Sequence, residues 1–291
     1  MSTQAEKAEA FRALHHASHP LILPNAWDVP SARVFEDAGF PAIATSSAGL
    51  MVSRGYPDGE EMPRRELVAT IGRIAGTLRI PLSADVVAGY GHGVAATTST
   101  VRMVLSAGAV GINLEDKAPS GEKLVSRALQ VRKIQAIRKL GESMGVPLVI
   151  NGRTDALRVP AGSDEERLRE AIRRAVAYRD AGADCVYPMG LTEAEPIAKF
   201  VGELQCPVNV MVRKGLPPVA ELERLGVKRV SFGPSASYAT MGLLKRASQE
   251  ILAQGTYATL LDGAISFDEL NRLAGPRPAS PEPTPGAGAP G

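Results

Sequence analysis

Residues 106–116 read SAGAVGINLED, and the way this run divides decides the fold. Polar helix-like sequence stops at Ala107-Gly108, six mostly apolar residues follow, and the run closes on Glu115 and Asp116. A glycine one residue past a helix adopts the left-handed backbone that caps it. The apolar stretch carries no polar alternation, as expected of a strand covered on both faces. The same grammar recurs as DAGFPAIATS at 37–46, DAGADCVYPMG at 180–190 and RLGVKRVSFG at 224–233, which puts Gly39, Gly108, Gly182 and Gly226 at helix C-termini. Three more apolar runs open on proline: PLSADVV at 81–87, PLVINGR at 147–153 and PVNVMV at 207–212. With PLILPNAWD at 20–28 the strands number eight.

Helical periodicity fills the gaps over 63–78, 97–106, 126–144 and 164–180, the last with Leu168, Ile172 and Val176 four apart. Strands alternating with helices over about 250 residues predict a (β/α)8 barrel, a TIM barrel, rather than an open doubly wound sheet. An open sheet would carry a glycine-rich phosphate fingerprint after its first strand, and PNAWDVPSA at 24–32 is not one. The reading is one barrel domain over 1–275 with an N-terminal helix. PRPASPEPTPGAGAPG at 276–291 has no large apolar side chain and is expected to be a disordered tail.

Composition narrows the function. Thirty-three basic against 31 acidic residues leave +2 and no basic runs, so neither nucleic acid nor a membrane surface is an expected partner. No stretch approaches a membrane span, and the polar N-terminus lacks the apolar segment of a secretory signal, which predicts a cytoplasmic protein. Cys185 and Cys206 sit in apolar runs and read as reduced core thiols.

Chemistry in such a barrel gathers at the C-terminal ends of the strands. There the sequence places Asn25, Trp27 and Asp28; Thr45, Ser46 and Ser47, with Asp58 beyond; Asp85; Asn113, Glu115, Asp116 and Lys117; Asn151, Arg153 and Asp155; Asn209; and Ser231. Asp28, ahead of Pro30 and Ser31, reads as a helix cap, and Asp155 as a partner for Arg153. Asp85 and Glu115, at the mouths of adjacent strands, would repel each other unless a cation lay between them. Oxygen ligands without a His or Cys cluster favour Mg2+, with Mn2+ an alternative. Arg153 offers a fixed fork for a carboxylate or enolate oxygen. The mouth thus suggests a small anionic substrate.

Taken together, LPNAWD, SSAGL, SADVVAGYG, GINLEDK, NGRTDA and AGADCVYP resemble, in order and spacing, the isocitrate lyase and phosphoenolpyruvate mutase superfamily from about residue 21 to 235. The resemblance implies a (β/α)8 barrel with its last helix exchanged between subunits, a homotetramer or homodimer, Mg2+, and 2-oxo acid substrates. By position it implies Asp85 and Glu115 as the metal residues and Arg153 on the substrate's carboxylate and enolate oxygen. Ser46 and Ser47 fall where the 2-oxo carboxylate is held, and Asp58 near the reacting centre. Trp27, His92 and Asn209 are further candidates for substrate contact.

Two departures shape the reaction. Val87 stands where the superfamily commonly has a second acid, two residues after Asp85. The loop KAPSGEKLVS at 117–126 has neither the lyase signature Lys-Cys-Gly-His nor an intact Lys-x-Asn-Ser of the mutase branch, although Lys123 and Ser126 can be laid on the latter. With no loop cysteine, Tyr90, Lys123 or a metal-bound water becomes the candidate proton donor, and Gly121 the flexible point of a closing loop. The expected activity is Mg2+-dependent carbon–carbon cleavage of a 2-oxo or 2-hydroxy di- or tricarboxylic acid, of the oxaloacetate decarboxylase or methylisocitrate lyase kind, through a pyruvate-type enolate. Phosphorus–carbon chemistry of the phosphoenolpyruvate mutase or phosphonopyruvate hydrolase type is one alternative. A barrel that binds a metabolite without turnover is another.

Overall fold

The computed structural model describes residues 2–118 and 123–274; the tail at 276–291 and Gly121 lie outside the described residues. Its strands are β1 (Leu21–Leu23), β2 (Asn25–Ala26), β3 (Ile43–Thr45), β4 (Leu82–Asp85), β5 (Gly111–Glu115), β6 (Val149–Thr154), β7 (Cys185–Pro188), β8 (Asn209–Met211) and β9 (Arg229–Ser231). All pair in parallel. Nine strands stand for the eight expected because Pro24, which has no N–H to give a ladder, splits the first into β1 and β2. β1 pairs with β9, and β2 pairs with β3.

The ring therefore consists of a six-stranded sheet, β2-β3-β4-β5-β6-β7, and a three-stranded sheet, β1-β9-β8. They meet at Pro24 and between β7 and β8, where a single parallel bridge joins Val186 to Val208. This is the (β/α)8 arrangement, with regular pairing interrupted at those two seams.

Helices Arg64–Thr77, Val94–Ser106, Arg127–Ser143 and Asp164–Asp180 fall within three residues of the periodic segments. Gly39, Gly108, Gly182 and Gly226 all have φ between 82° and 105°, the left-handed geometry that the repeated helix-end motif requires. Asp28 caps helix Val29–Asp37, accepting from the Ser31 N–H at 2.8 Å. Both cysteines are free; Cys185 is buried and Cys206 partly so. Among the described residues no helix is long and apolar enough to cross a membrane.

Helix Gln4–Leu14 closes the N-terminal end of the barrel with Phe11, which is fully buried. Phe11 presses against Gly111, where an added Cβ would lie 2.6 Å from the ring. Gly111→Ala is expected to destabilise the fold by about 1–3 kcal/mol, since the ring sits among fully packed neighbours; a denaturant midpoint unchanged from wild type would contradict this contact.

The last long helix, Ser235–Gln254, buries only Ser237 and Ala247 of its twenty residues. Tyr238, Met241, Leu244 and Leu252 are exposed along it, and Leu261 and Phe267 continue the apolar surface beyond it. Helix Phe267–Ala274 returns to helix Val29–Asp37, where Arg272 pairs with Asp37 and Arg33 donates to the Leu273 carbonyl at 2.9 Å.

The inside of the barrel departs from the usual branched aliphatic filling. Thr45, Ser83, Asn151, Asn209, Arg229 and Ser231 are all buried there. Asn25 tightens the first seam by donating to the Thr45 carbonyl at 2.8 Å and accepting from the N–H groups of Phe232 and Gly233 at 2.9 and 2.8 Å. A polar lumen of this kind leaves space for a ligand or water rather than a packed plug.

Candidate active site

The lumen opens at the C-terminal ends of the strands into a cavity of about 180 Å3. Asp85 at the end of β4 lines it. The Asp85 carboxylate accepts from the Ser47 N–H at 3.2 Å, its own turn's Val87 N–H at 3.2 Å and the Asn113 amide at 3.1 Å. Asn113 in turn accepts from Asn151 at 3.0 Å, so amides on β5 and β6 set the orientation of the acid on β4. Val87 is held at φ 54°, a backbone that β-branched residues rarely adopt. That strain sits at the position where the superfamily commonly carries a second acid.

Arg153 on β6 is the central cation. Asp155 grips it through two bonds, Nε to Oδ2 at 2.7 Å and Nη2 to Oδ1 at 2.8 Å, while Nη1 reaches Glu115 at 2.8 Å. Asp155 is itself fixed, because its N–H donates to Asp116 at 2.9 Å, and Asp116 accepts from the Tyr178 hydroxyl at 2.6 Å and from Arg174 at 3.1 Å. The guanidinium plane is thereby locked from behind, and two of its five N–H groups remain for the cavity. The Tyr187 ring packs beside it, 5.8 Å from centroid to Cζ.

Charge in the cleft is unevenly balanced. Burial pushes the Glu115 carboxyl up to about 8; Arg153 opposes this, while Asp155, Asp85 and Asp58 add to it. Arg153 is shared with Asp155 and so offsets only part of the burial cost; its own two acid partners hold it firmly protonated. Asp58, on the loop at the rim, is raised by burial and then by Asp85. A carboxyl raised in the folded state favours folding below its unfolded pKa and loses that contribution as pH climbs through the folded one. Unfolding free energy of the metal-free chain is therefore expected to fall between pH 4.5 and 8, and Glu115→Gln should flatten that slope in denaturant titrations at pH 5 and 8.5. An identical slope in both proteins would show that Glu115 stays ionised throughout.

Of the residues singled out from sequence, Ser46, Ser47, Asp58, Asp85, Arg153 and Asn209 come together on the cavity wall. Ser46 spends its hydroxyl capping the short helix Ser47–Val52, accepting from Gly49 at 3.2 Å. Glu115 lies behind Arg153 rather than on the wall. Trp27 packs partly buried against the core, and His92 is exposed on the loop after β4; neither lines the cavity. Lys123 is exposed, with its carbonyl accepting from the Ala118 N–H. Tyr90 lies off the wall, and its buried hydroxyl has no partner among the described residues. Burial raises its pKa, with Glu60 second, which makes the phenol a weaker acid than usual. Gly89 and Gly91 in the turn after β4 have φ of 105° and 144°. A Cβ at either would come within 2.6 Å of Thr97 or Ala96, so the following helix, not the substrate, demands glycine there.

Sequence reasoning missed Tyr187, Met189, Arg158, Tyr238 and the deeper pair Ser83 and Arg229, all of which line the cavity. Inward alternation could have found the last two, since Ser83 precedes Asp85 by two and Arg229 precedes Ser231 by two.

Among the described residues no group of three or more His, Cys, Asp or Glu side chains converges as a metal cage. Mg2+ rarely needs one; one or two carboxylates with retained waters suffice, and Asp85, with Asp58 on the same wall, meets that condition. The donors present fit a hydrated hard cation and would not suit a softer ion needing imidazole or thiolate.

A parallel barrel whose C-terminal rim presents a carboxylate, a clamped arginine and a helix N-terminus to one polar cavity is the architecture of an enzyme for small anions. The chain belongs to the phosphoenolpyruvate phosphomutase family, which it matches over residues 11–252. It is 31% identical to the 2-methylisocitrate lyase of Bacillus subtilis (strain 168) over 242 residues, spanning 79% of this chain and 77% of that one. A crystal structure from Burkholderia cenocepacia J2315, described as a lyase/mutase by assignment, superposes with a TM-score of 0.86 at 35% identity, covering 96% and 97% of the two chains. Oxaloacetate acetylhydrolase in complex with oxalate superposes with a TM-score of 0.82 at 25% identity, covering 94% and 95%. Homologues in this superfamily are lyases that break carbon–carbon bonds, and the chain is an enzyme of that class.

Proposed function

We propose that the enzyme cleaves a carbon–carbon bond of a 2-oxo or 2-hydroxy di- or tricarboxylic acid, with Mg2+ as cofactor. From a 2-oxo acid the electrons of the broken bond collect as a pyruvate-type enolate; from a 2-hydroxy acid the hydroxyl gives up its proton to become the oxo group, and the electrons collect as an enolate on the carboxylate of the departing fragment. The observation that carries this reading is Arg153, immobilised by Asp155 and Glu115 with N–H groups left over beside Asp85. A positioned guanidinium that needs no reorganisation is the kind of group that stabilises charge as it develops on oxygen. Ser46, Ser47 and Ala48, at the start of a helix facing the cavity, suit the substrate carboxylate. Asn209 on β8 lies on the opposite wall, where it would contact the far end of the substrate. Superfamily lyases generally depend on a divalent metal; Asp85 would hold such an ion, which would supply Lewis-acid stabilisation to the oxygen that gains charge. Tyr90, as a weakened acid, serves better as a neutral hydrogen-bond donor than as the proton source, which leaves Lys123 or water for that step.

Incubating the purified chain with oxaloacetate, 2-methylisocitrate and 2,3-dimethylmalate, with Mg2+ or with EDTA, tests the proposal. Mg2+-dependent release of pyruvate from one of them is the expected result, and no turnover of any, with tight oxalate binding, would leave a metabolite-binding barrel instead. Phosphorus–carbon chemistry stands as a second reading because Asp58 shares the cavity with Asp85 and Arg153; release of phosphate from phosphonopyruvate alone would establish it.

The exposed apolar side of helix Ser235–Gln254 suits exchange of this helix between subunits, as in a homodimer or homotetramer. Light scattering on the full chain is expected to show an oligomer, and a monomer at micromolar concentration would rule the exchange out.

A further inference from the structure

Below the acids and Arg153, the barrel holds a second charge that the proposed reaction does not use. Arg229 on β9 is 2% exposed and shares the lumen with Ser83 on β4. Each lies two residues before a cavity-wall residue on its strand, which sets the pair roughly 6–7 Å deeper than Asp85 and Ser231. The floor beneath them is Phe11. The Arg229 guanidinium carbon lies 5.9 Å from the ring centroid, and Ser83 Oγ lies 3.1 Å from where a Gly111 side chain would begin, beside the same ring.

Arg229 has no ion pair among the described residues. Its one polar contact is His15, where Nη1 lies 3.4 Å from Nε2. The other ring nitrogen of His15 faces the Phe11 carbonyl at 2.8 Å and so carries the proton. Burial, with Arg229 second, drives the His15 pKa down to about 3, which keeps the ring neutral. Cys185 stays a neutral thiol for the same reason of burial. Asp85, the carboxylate whose field reaches Arg229, is already engaged by three N–H donors. Arg229 Nε, Ser83 Oγ, Asn151 Oδ1 and Asn209 Oδ1 are all buried without a hydrogen-bond partner among the described residues.

A buried guanidinium without an ion pair is costly, and so is each orphaned polar atom. All four line one cavity, and the two donors among them, Arg229 bearing a full positive charge and Ser83 a hydroxyl, mark the part of it that suits a negative ligand. We infer that the lower chamber binds a small monovalent inorganic anion of the halide class, held by the Arg229 guanidinium and the Ser83 hydroxyl, with water on the Asn151 and Asn209 amide oxygens. A halide accepts from both donors without needing directional lone pairs, and waters around it satisfy the two amide acceptors that an anion alone would repel. The site would neutralise the floor of the barrel and leave Asp85 free to act on whatever binds above it.

Two measurements on the full chain test this. Crystals grown in bromide in place of chloride are expected to show an anomalous peak within hydrogen-bond reach of Arg229 and Ser83 Oγ. In solution, Tm is expected to rise on the order of 3 °C between 1 and 100 mM chloride when gluconate holds ionic strength constant. Ser83→Ala, which removes one donor and little volume, should raise the half-saturating chloride concentration about tenfold. Arg229→Met should abolish the dependence if it folds. Water alone in the chamber, a bromide peak with no chloride effect in solution, or a chloride effect unchanged by Ser83→Ala would each overturn the inference.

Discussion

Arg153→Lys is expected to lower kcat/KM by about 10²–10³-fold, chiefly through kcat, while the chain still folds. Lysine keeps the positive charge between Glu115 and Asp155 but loses the planar fork. The bidentate grip of Asp155 on Nε and Nη2 then has no counterpart, and the cavity-facing N–H groups go with it. Arg153→Ala would be a poorer probe, because it leaves the buried Asp155 carboxylate and Glu115 carboxyl without their partner, and removing one member of a buried pair typically costs 3–5 kcal/mol of stability. The kinetic split carries the information. A rise in KM with kcat intact would mean that Arg153 holds the substrate equally in ground and transition states. An unchanged kcat/KM would remove Arg153 from the chemistry altogether. Asp155→Asn offers a milder companion: it weakens the clamp without touching the guanidinium, and a smaller fall in kcat at constant KM is expected.

The repeated Ala-Gly and Leu-Gly helix ends made the barrel legible, because each combines a backbone requirement with an abrupt change in hydrophobic period. Gly39, Gly108, Gly182 and Gly226 all adopt the left-handed conformation that this reading needs. Strand-end acids and amides were legible for a related reason: a charge that ends a buried strand has few places to point. Glu115 shows the limit of that reasoning. It ends β5 as expected, yet it turns to Arg153 on the neighbouring strand, a choice made by the register that pairs Glu115 with Arg153. Trp27 and His92 show another limit, since proximity in sequence to Asp28 or Asp85 says nothing about which way a loop side chain faces. Arg229 was hidden because a single arginine inside KRVSF looks like one more surface cation until the inward alternation with Ser231 is noticed. Interior polar residues are rare enough in such barrels that their pattern is read only once the ring is assembled.

Asp85→Asn should abolish Mg2+ activation and lower the rate by about 10³-fold, since a bound metal contributes several kcal/mol to charge stabilisation and each 1.36 kcal/mol is a factor of ten. The amide preserves the shape of the carboxylate but not its charge, and only one end of it still accepts: with its oxygen kept on the Val87 N–H and the Asn113 amide, its NH2 group faces the Ser47 N–H. Val87→Asp tests the same site in the opposite direction. Val87 occupies a left-handed backbone at φ 54°, which aspartate tolerates better than a β-branched side chain, so the change relieves strain as it adds an acid two residues from Asp85. Mg2+ is expected to bind about tenfold tighter in Val87→Asp, the usual scale for a partner that orients a metal's bound water. Isothermal titration with Mg2+ reads both variants without any knowledge of the substrate. If Asp85→Asn binds Mg2+ as wild type does, the ion sits elsewhere and Asp85 serves only its three N–H donors. If Asp85→Asn loses the ion while Val87→Asp gains no affinity, the metal is held with its waters turned away from residue 87, and the valine is then a feature of the turn rather than of the site.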